Sequence, residues 1–100
     1  MKIYNRLTNE WATPPGRVYV VNPAPEITGG DLIIAYLARD GWHEWVAVHA
    51  ETAMVVGGGK TRDAAVGQAS RQLRHYGREA YLKAIKTVAA KRAAAKRQGS

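Results

Sequence analysis

The chain has 100 residues, 46% of them hydrophobic, so length and composition predict one globular domain and exclude a disordered chain. It contains no cysteine, which excludes disulfides, a thiol nucleophile and thiolate metal sites. No apolar run approaches the roughly 18 residues that a transmembrane helix needs, and no signal-peptide pattern is present. We therefore expect a soluble, intracellular protein.

Charge divides the chain into two halves. Residues 1–59 hold four basic and six acidic side chains, whereas residues 60–100 hold eleven basic and two acidic ones, for a total of +7. We therefore divide the single domain 1–100 into a strand-rich, weakly acidic part, basic helices (60–89) and a basic tail (90–100). This asymmetry predicts two different electrostatic faces. The alternative is a charged helix surface that serves solubility alone.

In chain order, the first part is expected to be mostly strand and loop. Residues 1–7 alternate weakly and indicate a short edge strand, whereas residues 8–16 contain Pro-Pro-Gly and indicate a loop. The β-branched and aromatic residues at 17–21 predict a strand. Two prolines and a glycine pair make residues 22–31 a predicted loop in which no helix persists.

The strongest local pattern is a hairpin. Two apolar runs, Leu32–Arg39 and Trp42–His49, flank Asp40-Gly41, a dipeptide that supplies the positive φ angles of a two-residue type I′ turn. A third strand is predicted over Ala53–Val56, and the three glycines at 57–59 are expected to end the sheet. The sequence therefore predicts an antiparallel meander in a sheet of three to five strands.

A two-residue turn at Asp40-Gly41 also determines which side chains share a face. Aliphatic residues of both strands then share one face, which we expect to be the core side. Tyr36 is opposite Trp45 on the other face, which also carries His43. This aromatic face, together with Trp42, is a predicted partner-binding surface, because Trp and Tyr are favoured anchors in interfaces. The alternative is that Tyr36 and Trp45 form a cross-strand core pair.

Two C-terminal α-helices are expected to pack on one face of this sheet, which makes the fold class α+β. Thr61 is a good N-cap for the first helix, whose apolar residues recur at helical spacing as far as Tyr76. Gly77 is either a C′ residue or a kink, and a second helix follows it. The apolar stripe of the second helix ends near Ala89, so residues 90–100 are expected to be a fraying helical tail.

Basic side chains of these helices form a second predicted binding surface. Arg71, Arg74 and Arg78 lie within roughly 60° of one another on a helical wheel, opposite the apolar stripe, and are expected to be solvent-exposed. Together with the aromatic face they are the predicted partner-binding residues. If the chain binds nucleic acid instead, nine cations would make the contacts: Lys60, Arg62, Arg71, Arg74, Arg78, Lys91, Arg92, Lys96 and Arg97.

Patterns that indicate catalysis or metal binding are weak. Gly59-Lys60-Thr61 resembles the end of a Walker A loop, but Met54 stands where that motif needs a glycine. His43 and His49 would lie about 20 Å apart on an extended strand, too far to bind one ion. No paired carboxylates and no Ser-His-Asp pattern can be identified. We therefore expect a protein that is not an enzyme and that needs neither a metal nor another cofactor.

The segment after the predicted hairpin resembles a nucleic-acid-binding family. Double-stranded-RNA-binding domains have Gly-x-Gly-x-Ser, then lysines, then alanines that face the sheet. The resemblance covers about residues 32–76 and implies phosphate contacts from the start of the helix, although Asp63 stands at the second basic position. Six residues carry the resemblance: Gly57, Gly59, Thr61, Arg62, Ala65 and Ala69.

The organisation of the whole chain resembles a second group. A strand-rich part (1–56) precedes a helical part rich in Ala, Lys and Arg (60–100), in a chain of this size without a catalytic pattern. This build is similar to that of small phage-encoded anti-CRISPR proteins that act on type I-F surveillance complexes. The resemblance implies a stoichiometric inhibitor in the cytoplasm of a bacterial host.

Such an inhibitor would occupy a surface of a CRISPR ribonucleoprotein complex and block target-DNA binding or nuclease recruitment. Many inhibitors of this kind are acidic and imitate DNA, whereas this chain has a net charge of +7. That charge argues against DNA mimicry by the whole molecule. The resemblance leaves three alternative modes of binding: contact with guide RNA, contact with an acidic protein patch, and contact through the acidic half of the chain.

Overall fold

The computed structural model, which describes residues 3–5, 10–13, 16–38 and 44–98, shows an α+β fold. A two-stranded hairpin pairs β1 (Ile3–Asn5) with β2 (Glu10–Ala12). A separate four-stranded antiparallel sheet has the order β3-β4-β5-β6, formed by Tyr19–Val21, Ile33–Leu37, Trp45–His49 and Met54–Gly59. Two helices complete the fold: α1 (Pro25–Thr28) and α2 (Arg62–Gln98).

The C-terminal part is one long element, α2, in place of two separate helices. It is bent at Gly77, whose dihedral angles (φ 83°, ψ 173°) are not helical. Glycine adopts a positive φ without the steric cost that a Cβ imposes, which explains why the bend falls at this residue. The predicted break at Gly77 is thus confirmed. We call residues 62–76 the first arm of α2 and residues 78–98 the second arm.

The first arm begins as predicted and lies directly on β6. The Ala64 N–H donates a hydrogen bond to Thr61 Oγ1 at 3.1 Å, so Thr61 is the N-cap. A Cβ added to Gly57 would lie 2.6 Å from the carbonyl oxygen of Ala65 and 2.7 Å from Cα of Ala69. Glycine is therefore required for this close approach of helix and strand. The three glycines expected to end the sheet instead belong to β6.

The register of β4 and β5 differs from that of a two-residue turn. The Ala38 N–H donates to the carbonyl oxygen of Glu44 at 2.7 Å, and the ladder continues in the same register. Residues 39–43 therefore separate the paired ends, and the predicted turn at Asp40-Gly41 lies outside the described residues. Because side chains alternate between faces, this shift by one residue places the β5 side chains on the opposite faces from those predicted relative to β4.

Packing against α2 explains this register. It groups the small side chains of Ala35 and Ala47 on the face under the first arm, where Ala65 and Ala69 are also fully buried. The core between the sheet and α2 contains Ala24, Ile33, Ala47, Val56, Ala69, Leu73 and Tyr81. A second buried cluster lies on the opposite face of the sheet and contains Ile34, Tyr36, Val46 and Val48.

Two segments that were expected to be loop contain regular structure. Glu10–Ala12, which has neither proline nor glycine, forms β2, in which Trp11 is paired with Tyr4 of β1. Pro25–Thr28 forms α1, a single turn between β3 and β4. Proline is compatible with the first turn of a helix, since an N–H at this position would have no helical partner. Pro25 therefore begins the turn.

Two predictions that the helical wheel gave for α2 differ from the structure. Tyr76, expected in the core, is 66% exposed and lies edge-on against His75. It lines an open groove between α2 and β6, so it does not pack closely on the sheet. Residues 90–98, expected to fray, continue the second arm as helix. Within this segment Arg92 Nε donates to the carbonyl oxygen of Thr52 at 3.3 Å, so the segment contacts the turn between β5 and β6.

Candidate functional site

The exposed surface of α2 is strongly basic. Arg71 in the first arm and Lys83, Lys86 and Lys91 in the second are exposed, and none forms an ion pair among the described residues. We call these four residues the basic surface of α2. The whole of α2 contains two acidic residues, so little negative charge offsets these cations. Exposed guanidinium and ammonium groups that form no ion pair within the described residues can bind phosphates or carboxylates.

Two of the three predicted interface arginines hold α1 against α2. Arg74 forms an ion pair with Glu26 and also donates to Ser70 Oγ at 2.7 Å. Arg78 Nη1 donates to the carbonyl oxygen of Ile27 at 2.7 Å. Both arginines are exposed, as expected, but the short helix α1 lies beside them. Both therefore make intramolecular contacts, and their role in partner binding stays a prediction.

The Arg74–Glu26 pair changes the titration of both groups. The hydrogen bond from Arg74 lowers the pKa of Glu26 below its ordinary value, and the same bond raises the pKa of Arg74. The side chains are 57% and 51% exposed, so solvent screens their attraction. The pair therefore serves mainly to orient α1.

Aromatic and cationic side chains meet at the start of α2. The guanidinium carbon of Arg62 lies 4.2 Å from the centroid of the Tyr19 ring, and the Tyr19 ring lies 6.1 Å from that of Trp45. A cation over an aromatic face is attracted by the negative charge of the ring face. Lys60 is exposed in the turn that precedes Arg62. Both predicted cations of this region are thus at the surface.

The predicted aromatic face of the sheet does not form. Tyr36 is 6% exposed and packs in the second buried cluster, whereas Trp45 lies on the other face of the sheet, near Tyr19. The register of β4 and β5 is the cause, because it pairs Trp45 with Leu37 instead of Tyr36. Trp42 and His43 lie outside the described residues.

The cations near the C-terminus differ in their surroundings. Lys91 is exposed, whereas Arg92 is half-buried and contacts Thr52. Lys96 and Arg97 lie in the last turns of the second arm. For these two residues the structure describes the backbone alone. Arg92 is therefore a packing residue, and Lys91 is the member of this group that belongs to the basic surface of α2.

A partly buried polar cluster, which no sequence pattern indicates, lies at the end of β5. His49 Nδ1 is 2.8 Å from Thr52 Oγ1, and Nε2 of the same ring is 3.7 Å from Asp31 Oδ2. The Tyr81 hydroxyl donates to Asp31 Oδ2 at 2.7 Å. Burial, and then the bond to Asp31, raises the pKa of Tyr81 far above its ordinary value. Because Thr52 is 4% exposed, its hydroxyl is closed to substrates, and the cluster joins elements of the fold.

Comparison with known proteins finds no match to this chain among family models, curated proteins or solved structures. Across the described ranges, no three His, Cys, Asp or Glu side chains are placed to hold a metal ion. No helix in that part of the chain is long and apolar enough to cross a bilayer.

Proposed function

We propose that this chain is a non-catalytic binding protein that docks on a ribonucleoprotein complex through the basic surface of α2. One observation carries the proposal: four exposed cations lie on a single element without intramolecular ion pairs among the described residues. Cations that serve the fold have partners, as Arg74 has in Glu26. Cations without such partners attract a polyanion, and the RNA of a ribonucleoprotein complex is one.

In this proposal the protein is a stoichiometric inhibitor of the anti-CRISPR kind. It occupies a surface of a type I-F surveillance complex and blocks target-DNA binding or nuclease recruitment. The net charge of +7 favours contact with guide RNA or an acidic protein patch over imitation of DNA. Electrostatic attraction makes such an association fast and sensitive to salt.

Capture of a purified type I-F surveillance complex on immobilised protein tests this proposal. We expect the complex to be retained before and after nuclease treatment, and we expect retained complex to lose target-DNA binding or nuclease recruitment. Arg71→Glu should reduce retention at physiological salt. The control is Thr13→Glu, which adds a negative charge at an exposed residue outside α2. No retention of the complex by wild-type protein would contradict the proposal.

A second candidate function, binding of duplex RNA, is favoured by the packing at Gly57. Ala65 and Ala69 face the sheet and contact this glycine, as the resemblance to double-stranded-RNA-binding domains implies. Lys60 and Arg62 are exposed at the helix N-terminus, which carries partial positive charge.

A salt titration of naked duplex RNA distinguishes the two functions. If RNA is the ligand, binding should be tight and steeply dependent on salt, and Arg62→Glu should lower the slope of log affinity against log salt by about one unit. Weak binding of naked RNA together with capture of the surveillance complex would favour the inhibitor.

A further inference from the structure

The sheet has a strand that α2 leaves largely uncovered. α2 packs mainly on β6, β5 and β4, whereas β3 lies at the far edge. An open groove of about 570 Å³ separates β3 from the first arm of α2. Tyr19 and Val21 line the groove on the strand side, and Arg62, Val66 and Gly67 line it on the helix side. The groove thus continues the sheet face that carries the core.

The two edge strands of the sheet, β3 and β6, differ in the side-chain hydrogen bonds that their backbone groups form. At β6, the Gly58 N–H donates to Gln68 Oε1 at 2.7 Å. This side chain occupies a backbone donor that another strand would need. Along β3, no side chain from the described ranges takes this role, and Val20 is 71% exposed. Among the described residues, the backbone of β3 is therefore left accessible to a further strand.

The charges around β3 specify what kind of strand fits. Arg62 lies over the Tyr19 ring at 4.2 Å, beside the groove. Arg17, two residues before Tyr19, is also exposed. Asp63 is the carboxylate that lines the groove, next to Arg62 in the chain. An acidic segment paired with β3 would meet the opposite charges of Arg17 and Arg62 near Tyr19.

We propose that β3 accepts an extended, acidic segment of a partner protein as a fifth strand of the sheet. Backbone hydrogen bonds to β3 supply affinity, and the alternation of side chains along the strand supplies selectivity. Every second side chain of the added strand enters the groove against Val21 and Val66. Carboxylates at its end near Tyr19 pair with Arg62 and Arg17. This site is separate from the basic surface of α2 and does not depend on the ribonucleoprotein proposal.

Binding of a blocked peptide of about eight residues, in which valine alternates with glutamate, tests the proposal. On ¹⁵N-labelled wild-type protein, we expect the largest amide shifts at Tyr19, Val20 and Val21. A peptide in which lysine replaces glutamate should bind at least about tenfold more weakly. Arg62→Gln should weaken binding of the acidic peptide, whereas Gln72→Glu, which makes the same charge change at an exposed residue of the first arm outside the groove, should leave it unchanged.

Two further peptides remove any dependence on the folding of a variant. N-methylation of alternate residues of the acidic peptide deletes the backbone donors on one edge, so one of the two alternation frames should lose binding. Equal affinity for the glutamate and lysine peptides, unchanged binding by both N-methylated frames, or largest shifts along β6 would each overturn the proposal. A dimer of the protein alone that protects the β3 amides would also overturn it, because a second copy would then be the occupant.

Discussion

Gly57 in β6 lies so close to Ala69 in α2 that a Cβ at position 57 would come within 2.7 Å of the Ala69 Cα atom. We expect Gly57→Ala to lower the free energy of unfolding by about 1–3 kcal/mol, because the first arm must move off the sheet. The control is Gly30→Ala, where an added Cβ meets nothing within 4 Å. Urea unfolding compares the two variants. Equal midpoints would show that helix and strand do not need this close approach.

Tyr81 connects the second arm of α2 to Asp31 through its hydroxyl. Tyr81→Phe removes that hydrogen bond and should lower the free energy of unfolding by about 1 kcal/mol near neutral pH. Chemical denaturation at neutral pH measures this loss. Tyr76→Phe is the control, because Tyr76 is 66% exposed and should tolerate the change.

The raised pKa of Tyr81 adds a dependence on alkaline pH. The unfolded chain loses the Tyr81 proton near the ordinary pKa of 10.0, whereas the folded protein retains it. Stability is therefore fully present below that pH and is lost as the pH rises toward the folded pKa. Denaturation curves through this range should show a smaller alkaline loss in Tyr81→Phe than in wild type. An equal loss in both would mean that Tyr81 titrates normally.

The pair of Arg74 and Glu26 predicts a loss of stability at acid pH, in contrast to the alkaline loss predicted for Tyr81. Because the pKa of Glu26 is lowered in the folded protein, its contribution is present above the unfolded pKa and is lost as the pH falls through the folded one. Arg74→Gln should raise the pKa of Glu26 toward its ordinary value of 4.5, whereas Arg71→Gln should not. Carbon NMR of the Glu26 carboxyl group measures both. If Arg74→Gln leaves the pKa of Glu26 unchanged, the ion pair between Arg74 and Glu26 does not form in solution.

Arg92 makes the end of α2 part of the packed structure. Its Nε donates to the carbonyl oxygen of Thr52, so Arg92→Ala should lower the free energy of unfolding by about 1 kcal/mol. Lys91→Ala, at the exposed neighbouring residue, is the matched control and should have little effect. Thermal unfolding distinguishes the two. If both variants melt like wild type, the last turns of α2 contribute nothing to stability.

Local signals in the sequence predicted the local features of the fold. The Thr61 cap depends on one hydroxyl and a nearby N–H, and the bend at Gly77 depends on one residue's conformational freedom. The β4–β5 register is different, because it depends on contacts with a distant helix. Asp40-Gly41 indicates a two-residue turn, yet the observed register places Ala47 under α2. The observed register therefore depends on tertiary packing, which a local turn signal does not encode.

In the candidate sites, too, the features that depend on residues distant in the chain could not be predicted. Exposure of Arg71, Arg74 and Arg78 follows from helical periodicity and is observed. The partners of Arg74 and Arg78 could not be predicted, because Glu26 and Ile27 lie 48 and 51 residues away in the chain, on a helical turn that no pattern indicated. The cluster around His49 was missed for the same reason, since the chain separates Tyr81 from Asp31 by 50 residues.

The most direct test of the central claim is the affinity for a purified type I-F surveillance complex, measured at several salt concentrations. We predict that wild-type protein binds more weakly as salt increases, since salt screens contacts of exposed charges. The double variant Lys83→Glu/Lys86→Glu should bind at least about tenfold more weakly at physiological salt and show a flatter dependence on salt. Thr13→Glu, at an exposed residue outside α2, should bind like wild type. Affinity that is independent of salt, or equal in wild type and the double variant, would contradict docking through the basic surface of α2.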